Sequence, residues 1–383
     1  MRKKAHEPGA AMKVLITGAN GFVGKNLLAH FAERKDVEAL PFTRESPPEA
    51  LAGAVAQADF VFHLAGVNRP KDVAEFTQGN VGLTGALCDA LQEVARTTGR
   101  KVPVLYTSSI QAGRDNPYGT SKLEAERLLL AYQASTGAAV YIYRLPNVFG
   151  KWCKPNYNSA VATFCHNIAR GLPVQVNDPA APVSLVYVDD VVDSFIQVMH
   201  GGLPAGSECR VTPQYSATVG ELVAQIEGFR ASRDNLVTDR VGTGLVRALY
   251  STYLSYLPPD SFAYGVPKYG DARGVFVEVL KTPDCGQFSY FTAHPGITRG
   301  GHYHHSKTEK FLVIKGRARF GFRHILSGET FEILTSGETP TIVETVPGWS
   351  HDITNIGDAE MLVMLWANEI FDRQRPDTFS HKV

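Results

Sequence analysis

The chain has 383 residues, long for one hydrophobic core and comfortable for two domains. Its 38 basic and 38 acidic residues cancel and are interspersed, which argues against nucleic-acid or anionic-membrane partners. No apolar run reaches the length of a membrane span, Met1–Ala11 lacks the apolar stretch of a secretory signal, and the five cysteines (Cys88, Cys153, Cys165, Cys209, Cys285) show neither metal nor disulfide spacing. A soluble cytoplasmic protein is expected, with Met12 a candidate for the natural start.

From Lys13 the pattern is strand, glycine turn, helix, and it repeats. Val14–Ile16, Val37–Phe42, Asp59–Ala65, Val102–Thr107 and Ala139–Arg144 read as strands. Asn26–Arg34 reads as a helix, as does Ser121–Ala134 with apolar residues at Leu123, Leu128, Leu129 and Tyr132. Alternation of this kind predicts right-handed βαβ units and a doubly wound parallel sheet, an α/β domain.

Between the first strand and first helix stands Gly18-x-x-Gly21-x-x-Gly24. There a tight turn, close approach of a pyrophosphate to backbone, and helix–sheet packing each require a glycine. An NAD site places a carboxylate at the end of the second strand. Here that strand runs out through Phe42-Thr43-Arg44 with no acid until Glu45, and a cation at Arg44 suits the 2′-phosphate of NADPH.

Tyr118-x-x-x-Lys122 puts a phenol and an ammonium on one helix face, where the cation is expected to lower the phenol's pKa. Ser108 and Ser109 end the preceding strand and can hydrogen-bond a reacting oxygen. With His63-Leu64-Ala65-Gly66, Asn80 ahead of Thr84, Arg144 to Gly150, and Tyr187-Val188-Asp189-Asp190-Val191, the stretch from about Lys13 to Arg240 resembles the extended short-chain dehydrogenase/reductases, with their Rossmann-type sheet. The resemblance implies cofactor contacts from Gly18, Gly21, Phe22, Val23, Gly24, Arg44, Leu64, Ala65, Gly66, Tyr118 and Lys122. It implies Ser109, Tyr118 and Lys122 as catalytic residues, and substrate contacts from Ser109 and Asn147. Ile110 and Gln111 replace the Asp-Glu pair of sugar 4,6-dehydratases, which favours reduction or epimerisation over dehydration.

The polar, aromatic loop Gly150–Ser159 follows, where Lys151 and Lys154 are candidate partners of a substrate diphosphate. Cys153 has no flanking base and reads as an inert small residue. After Val241 the helical pattern fades, and Tyr250–Pro259 reads as a crossover between domains spanning 12–246 and 255–383.

From Gly274 short strands dominate (275–280, 287–292, 310–314, 318–323, 341–346 and 360–366), punctuated by turns such as Lys315-Gly316 and Pro347-Gly348. Such a pattern predicts an all-β jelly roll. Gly296-x5-His302-x-His304-x4-Glu309-x6-Gly316 fits the first cupin motif, with Glu309 expected on the neighbouring strand; Pro347-Gly348-Trp349-Ser350-His351 resembles the second. Three imidazoles and a carboxylate suit a divalent metal, with zinc preferred here and iron, manganese or nickel also compatible. His305 falls on the opposite strand face from His304, and His294, His324 and His381 read as surface or packing residues.

Asp271–Phe276 and Arg299–Tyr303 resemble segments of the cupin-fold nucleotide-sugar 3,5-epimerases. His304 stands where those enzymes generally lack a second ligand, leaving open whether His302 holds metal or moves protons. Taken whole, including Gly150–Ser159 and Asn368–Asp372, the chain resembles the bifunctional CapF-like reductases of capsule and O-antigen synthesis. That resemblance implies C3 epimerisation of a UDP-2-acetamido-2,6-dideoxy-4-ketohexose by the cupin. Reduction of the 4-keto group with NADPH then gives UDP-N-acetyl-6-deoxy-talosamine, the precursor of UDP-N-acetyl-fucosamine. A homodimer is expected for such folds. The alternative is a reductase whose cupin serves only dimerisation or sugar sensing.

Overall fold

The structure, a computed structural model, describes residues 11–204, 209–267, 269–271, 274–276, 280, 286–369 and 374–383. Cys285, Ala272, Arg273 and Ile370–Asp372 lie outside them, as does part of the strand expected over 275–280. Contacts group the chain into two units: one runs to Val148 and includes Ser184–Tyr215, the other comprises Phe149–Val183 and Ser216–Val383. This grouping interleaves segments that a division at 246–255 takes in linear order.

The first unit is built on five parallel strands in the order β2-β1-β3-β4-β5. They are β1 (Met12–Thr17), β2 (Val37–Phe42), β3 (Phe60–His63), β4 (Val104–Ser109) and β5 (Val140–Leu145). Val14, Leu15 and Ile16 are all fully buried, because helices cover both faces of the sheet. Val14 and Ile16 pack with Leu27, Phe31, Phe62 and Phe195 on one side. Leu15 packs with Leu87, Leu91, Leu129 and Tyr132 on the other. These two apolar layers are what doubly winds the sheet.

Helix α1 spans Phe22–Ala32, and the helix bearing Tyr118 and Lys122, α2, spans Pro117–Thr136. Both start earlier than the sequence pattern suggests, and at α2 a cap rather than apolar periodicity sets the helix start. At α2, Asn116 Oδ1 accepts from Gly119 N at 2.8 Å, Pro117 occupies the first turn, and Gly137 closes the helix.

In the second unit, two five-stranded antiparallel sheets form the all-β part. The strands are β6 (Ala263–Gly265), β7 (Gln287–Ala293), β8 (Thr298–Tyr303), β9 (Glu309–Lys315), β10 (Arg317–His324), β11 (Thr330–Ser336), β12 (Thr341–Glu344), β13 (Trp349–Asn355), β14 (Met361–Ala367) and β15 (Phe379–Ser380). One sheet has the order β7-β14-β9-β12-β6, the other β11-β10-β13-β8-β15. The expected crossover at 250–259 is instead helical up to Ser255, the end of a helix spanning Gly244–Ser255. Its run of Tyr, Ser and Thr is poor in helix formers, but Ala248 to Leu254 are all buried, so packing overrides propensity. Tyr250 donates to Glu344 at 3.3 Å, and Glu344 is paired with Lys310, anchoring this helix to β9 and β12. No helix among the described residues is long and apolar enough to cross a membrane.

Candidate active sites

In the first unit the glycine turn is held between the ends of β2 and β3. Gly18 N donates to Phe42 O at 2.9 Å. Gly18 has φ +69°, and a Cβ there would lie 2.7 Å from the Ala65 backbone; at Gly24 it would lie 2.4 Å from Gly18 O. Only glycine meets both demands, leaving the turn and the start of α1, with Gly21, Phe22 and Val23, open to a phosphate. Leu64 N and Ala65 N donate to Thr17 O and Oγ1 at 3.2 and 3.3 Å, which aligns the Leu64–Gly66 segment beside that turn. Arg44 is exposed just beyond β2, and its neighbour Glu45 reaches Asn20 of the turn at 3.3 Å.

A buried polar chain runs under this turn. Thr17 Oγ1 and His63 Nδ1 are 2.7 Å apart, His63 Nε2 and Thr84 Oγ1 2.8 Å, and Thr84 donates to Asn80 O at 2.6 Å. Because the Thr84 hydroxyl proton is committed to Asn80, His63 donates from Nε2 and accepts at Nδ1. Burial, aided by the Lys122 charge, pushes the His63 pKa down to about 3, so the ring is neutral. Asn80 in turn donates to Ser121 Oγ at 2.9 Å on α2. The quoted motif residues His63, Asn80 and Thr84 thus support the site from beneath; Thr17 carried no signal of its own.

Ser109, Tyr118 and Lys122 come together at the end of β4. Ser108 is occupied elsewhere, donating to Glu126 Oε1 at 2.5 Å, and Glu126 takes a bidentate pair from Arg144 at 2.9 and 2.6 Å. Burial raises the Tyr118 phenol above its ordinary value, with Ser109 hydrogen bonding as the opposing influence. The expected lowering by Lys122 is therefore corrected. Lys122 Nζ donates to Thr107 O at 2.9 Å and sits over the Tyr106 ring, and its own burial brings its pKa down to about 8. Asn147 is exposed and donates to Ser184 O at 3.0 Å.

In the second unit Lys151 is 1% exposed, with Nζ over the Trp152 ring, whereas Lys154 is exposed over Tyr157. Of the two lysines expected at a diphosphate, only Lys154 presents itself at the surface. Cys153 is buried, and burial pushes its thiol up to about 11, as an inert cysteine requires.

His302, His304, Glu309 and His351 converge, their ligand atoms all within 4.8 Å of one another. His302 on β8 and His351 on β13 are direct cross-strand partners, past a register shift after Gly300. His304 follows one residue beyond β8, and Glu309 opens β9. Glu309 therefore comes from the facing sheet rather than from a strand beside His302, and the site spans both layers. His304 Nε2 lies 3.2 Å and His351 Nε2 3.5 Å from Glu309 Oε2. His305 turns away to pack on Tyr303 and Phe379. His324 is a packing residue, accepting from Trp152 Nε1 at 3.1 Å.

Protonation states favour a cation. Burial, reinforced by its histidine neighbours, pushes His302 down to about 3, and burial also lowers His351. Burial opposes the charge on Glu309, but His304 and His351 outweigh it and hold the carboxyl well below its ordinary range. Neither ring nitrogen of buried His351 makes a hydrogen bond. Two imidazoles pushed toward the neutral form, a carboxyl held ionised and a His351 ring without a hydrogen bond suit a divalent metal.

His302, Glu309 and His351 line a cavity of about 290 Å³ whose walls include Phe291, Phe311, Phe320, Ile353 and Leu365, with Tyr290 and Arg299 also on its lining. Tyr290 is strongly exposed, and the Arg299 guanidinium lies over the Phe291 ring. Motif spacing did not reveal Lys307, whose Nζ is 3.5 Å from Glu309 Oε1. Its place between His304 and Glu309 in the sequence was the available signal.

Residues 14–205 match the NAD dependent epimerase/dehydratase family, and residues 269–379 the polysaccharide biosynthesis C-terminal domain. The UDP-2-acetamido-2,6-beta-L-arabino-hexul-4-ose reductase of Pseudomonas aeruginosa is 62% identical over 372 residues, covering 97% of this chain and 99% of that protein. The crystal structure of the capsular polysaccharide assembling protein CapF from Staphylococcus aureus matches with a TM-score of 0.67 at 44% identity, covering 97% of this chain and 100% of that one. UDP-glucuronic acid 4-epimerase from Bacillus cereus shares the fold alone, at 18% identity and a TM-score of 0.51 over 57% of this chain and 84% of that one. With relatives this similar over nearly its whole length, the chain belongs to the NAD dependent epimerase/dehydratase family, in the CapF-like group that also carries a polysaccharide biosynthesis C-terminal domain.

Proposed function

We propose that this protein is a bifunctional nucleotide-sugar enzyme of surface-polysaccharide synthesis, with an NADPH-dependent reductase in 12–246 and a C3-epimerising cupin in 255–383. Its substrate is a UDP-2-acetamido-2,6-dideoxy-4-ketohexose and its product UDP-N-acetyl-6-deoxy-talosamine. The observation that carries this reading is the presence of two complete constellations, Ser109–Tyr118–Lys122 and His302–His304–Glu309–His351, on a chain 62% identical to a 4-ketosugar reductase.

NADPH, when bound, would supply the hydride that reduces C4. Tyr118, kept protonated by burial, delivers its phenolic proton to the C4 oxygen as negative charge develops there. Ser109 hydrogen-bonds the same oxygen, and Lys122 orients the cofactor ribose and supports the phenol. Gly18, Gly21 and Gly24 hold the pyrophosphate, and Arg44 takes the 2′-phosphate.

In the cupin, the C4 ketone acidifies the C3 proton. His302, His304, Glu309 and His351 would hold a divalent metal, zinc by preference, which supplies electrostatic stabilisation of an enolate. The apolar walls around that centre exclude water and strengthen its field. Reduction then removes the ketone, which ends epimerisation and traps one stereoisomer.

The test is incubation of the full-length protein with the UDP-4-keto sugar in deuterium oxide, with and without NADPH. Deuterium at C3 without NADPH, and a deuterated 4-hydroxy product with it, is the expected result. Reduction with no C3 exchange would leave a reductase alone.

A further inference from the structure

The segment 374–383 grips the metal-ligand loop at two points, and neither gripping residue belongs to a ligand motif. Asp377 turns its carboxylate onto three successive backbone N–H groups, those of His305, Ser306 and Lys307, at 2.8, 2.7 and 2.6 Å, and accepts from Ser306 Oγ at 3.1 Å. Its own main-chain carbonyl meets His304 Nδ1. A carbonyl only accepts, so His304 donates from Nδ1 and presents Nε2 to Glu309 Oε2 at 3.2 Å, with the His302 and His351 rings beside it. The next residue, Thr378, accepts from Lys307 Nζ at 3.0 Å, and that ammonium lies 3.5 Å from Glu309 Oε1. Glu309 is thereby left with Oε2 facing the imidazoles. Just beyond, β15 pairs with β8, setting Ser380 opposite His302.

We propose that Asp377 and Thr378 are positioning residues for the metal centre: Asp377 sets the tautomer and aim of His304, and Thr378, through Lys307, restricts Glu309 to offering one oxygen. This rests on the metal-site reading above. Partners that hold a ligand's second nitrogen or oxygen pre-organise a site, and losing one typically weakens metal affinity by about 10- to 100-fold.

The test uses full-length protein stripped with chelator and titrated with Co²⁺, following its visible absorption, and with Zn²⁺ in competition with a chromophoric chelator. Asp377→Ala should weaken Zn²⁺ binding by about 10-fold or more and change the Co²⁺ spectrum, while NADPH binding stays at the wild-type value. Thr378→Val, which keeps shape and removes only the acceptor for Lys307, should give a smaller shift of the same sign without loss of folding. Asp377→Glu should recover part of the affinity. Wild-type affinity and spectrum in both Asp377→Ala and Thr378→Val would overturn the positioning role and leave the metal site standing. No metal binding by the wild-type protein would overturn both.

Discussion

His302 and His351 are direct partners on antiparallel strands, with ring centroids 4.7 Å apart and the Glu309 carboxylate reaching between the sheets toward His351. Burial pushes His302 and His351 toward the neutral form, and neither ring nitrogen of His351 makes a hydrogen bond. A bound ion therefore adds folding energy as well as chemistry. His302→Ala or His351→Ala is expected to lower bound metal at least tenfold by elemental analysis and to lower the melting temperature of the metal-loaded protein, with NADPH affinity unchanged. Chelator treatment of the wild-type protein should reproduce the loss in melting temperature.

Tyr118→Phe removes the proton donor while keeping the ring against Phe76. NADPH oxidation should fall by at least about 10²-fold, the scale of a lost general acid. Deuterium incorporation at C3 should continue at the wild-type rate. Loss of both activities together would show that the two sites are not separable.

The two adjacent serines should behave differently. Ser109→Ala removes a hydrogen bond to the reacting oxygen and is expected to lower kcat for reduction on the order of 10²-fold. Ser108→Ala leaves Glu126 paired with Arg144, so it should cost about 1 kcal/mol of stability and change kcat little. Steady-state kinetics and thermal melts on both variants distinguish these outcomes.

Arg44→Ala should raise the Kd for NADPH by roughly 10- to 100-fold, the equivalent of one charge-assisted hydrogen bond, and barely alter that for NADH. Glu45→Ala, which removes the carboxylate now held by Asn20, should not weaken NADPH binding. Fluorescence titration with both cofactors is the measurement, and equal losses for both cofactors in Arg44→Ala would remove Arg44 from this role.

His63 makes stability depend on acid. Burial, then the Lys122 charge, depresses its pKa to about 3 in the folded state, against an ordinary histidine value of about 6.5 in the unfolded chain. The unfolded chain therefore binds the proton first. The stabilisation is fully present above pH 6.5 and is lost as pH falls toward 3, at up to about 1.4 kcal/mol per pH unit. His63→Gln should flatten the acid side of the stability–pH curve over that window, as read from melts between pH 4 and 7.

The alternation of apolar strands and helices, the glycine turn, the Tyr118–Lys122 spacing and the His302, His304, Glu309 and His351 pattern were all legible in the sequence. Each depends on local geometry: side chains four apart share a helix face, residues two apart share a strand face, and a turn at φ +69° needs glycine. Only the tertiary structure decided what depends on distant chain meeting. Glu309 comes from the facing sheet because the sheets stack, which no spacing within one motif reports. Gly244–Ser255 is helical because burial outweighs its weak propensity. The Tyr118 phenol is raised rather than lowered because desolvation prevails in the folded site. Asp377 reaches His304 because its carboxylate meets backbone N–H groups that exist as a cluster only once the loop is folded.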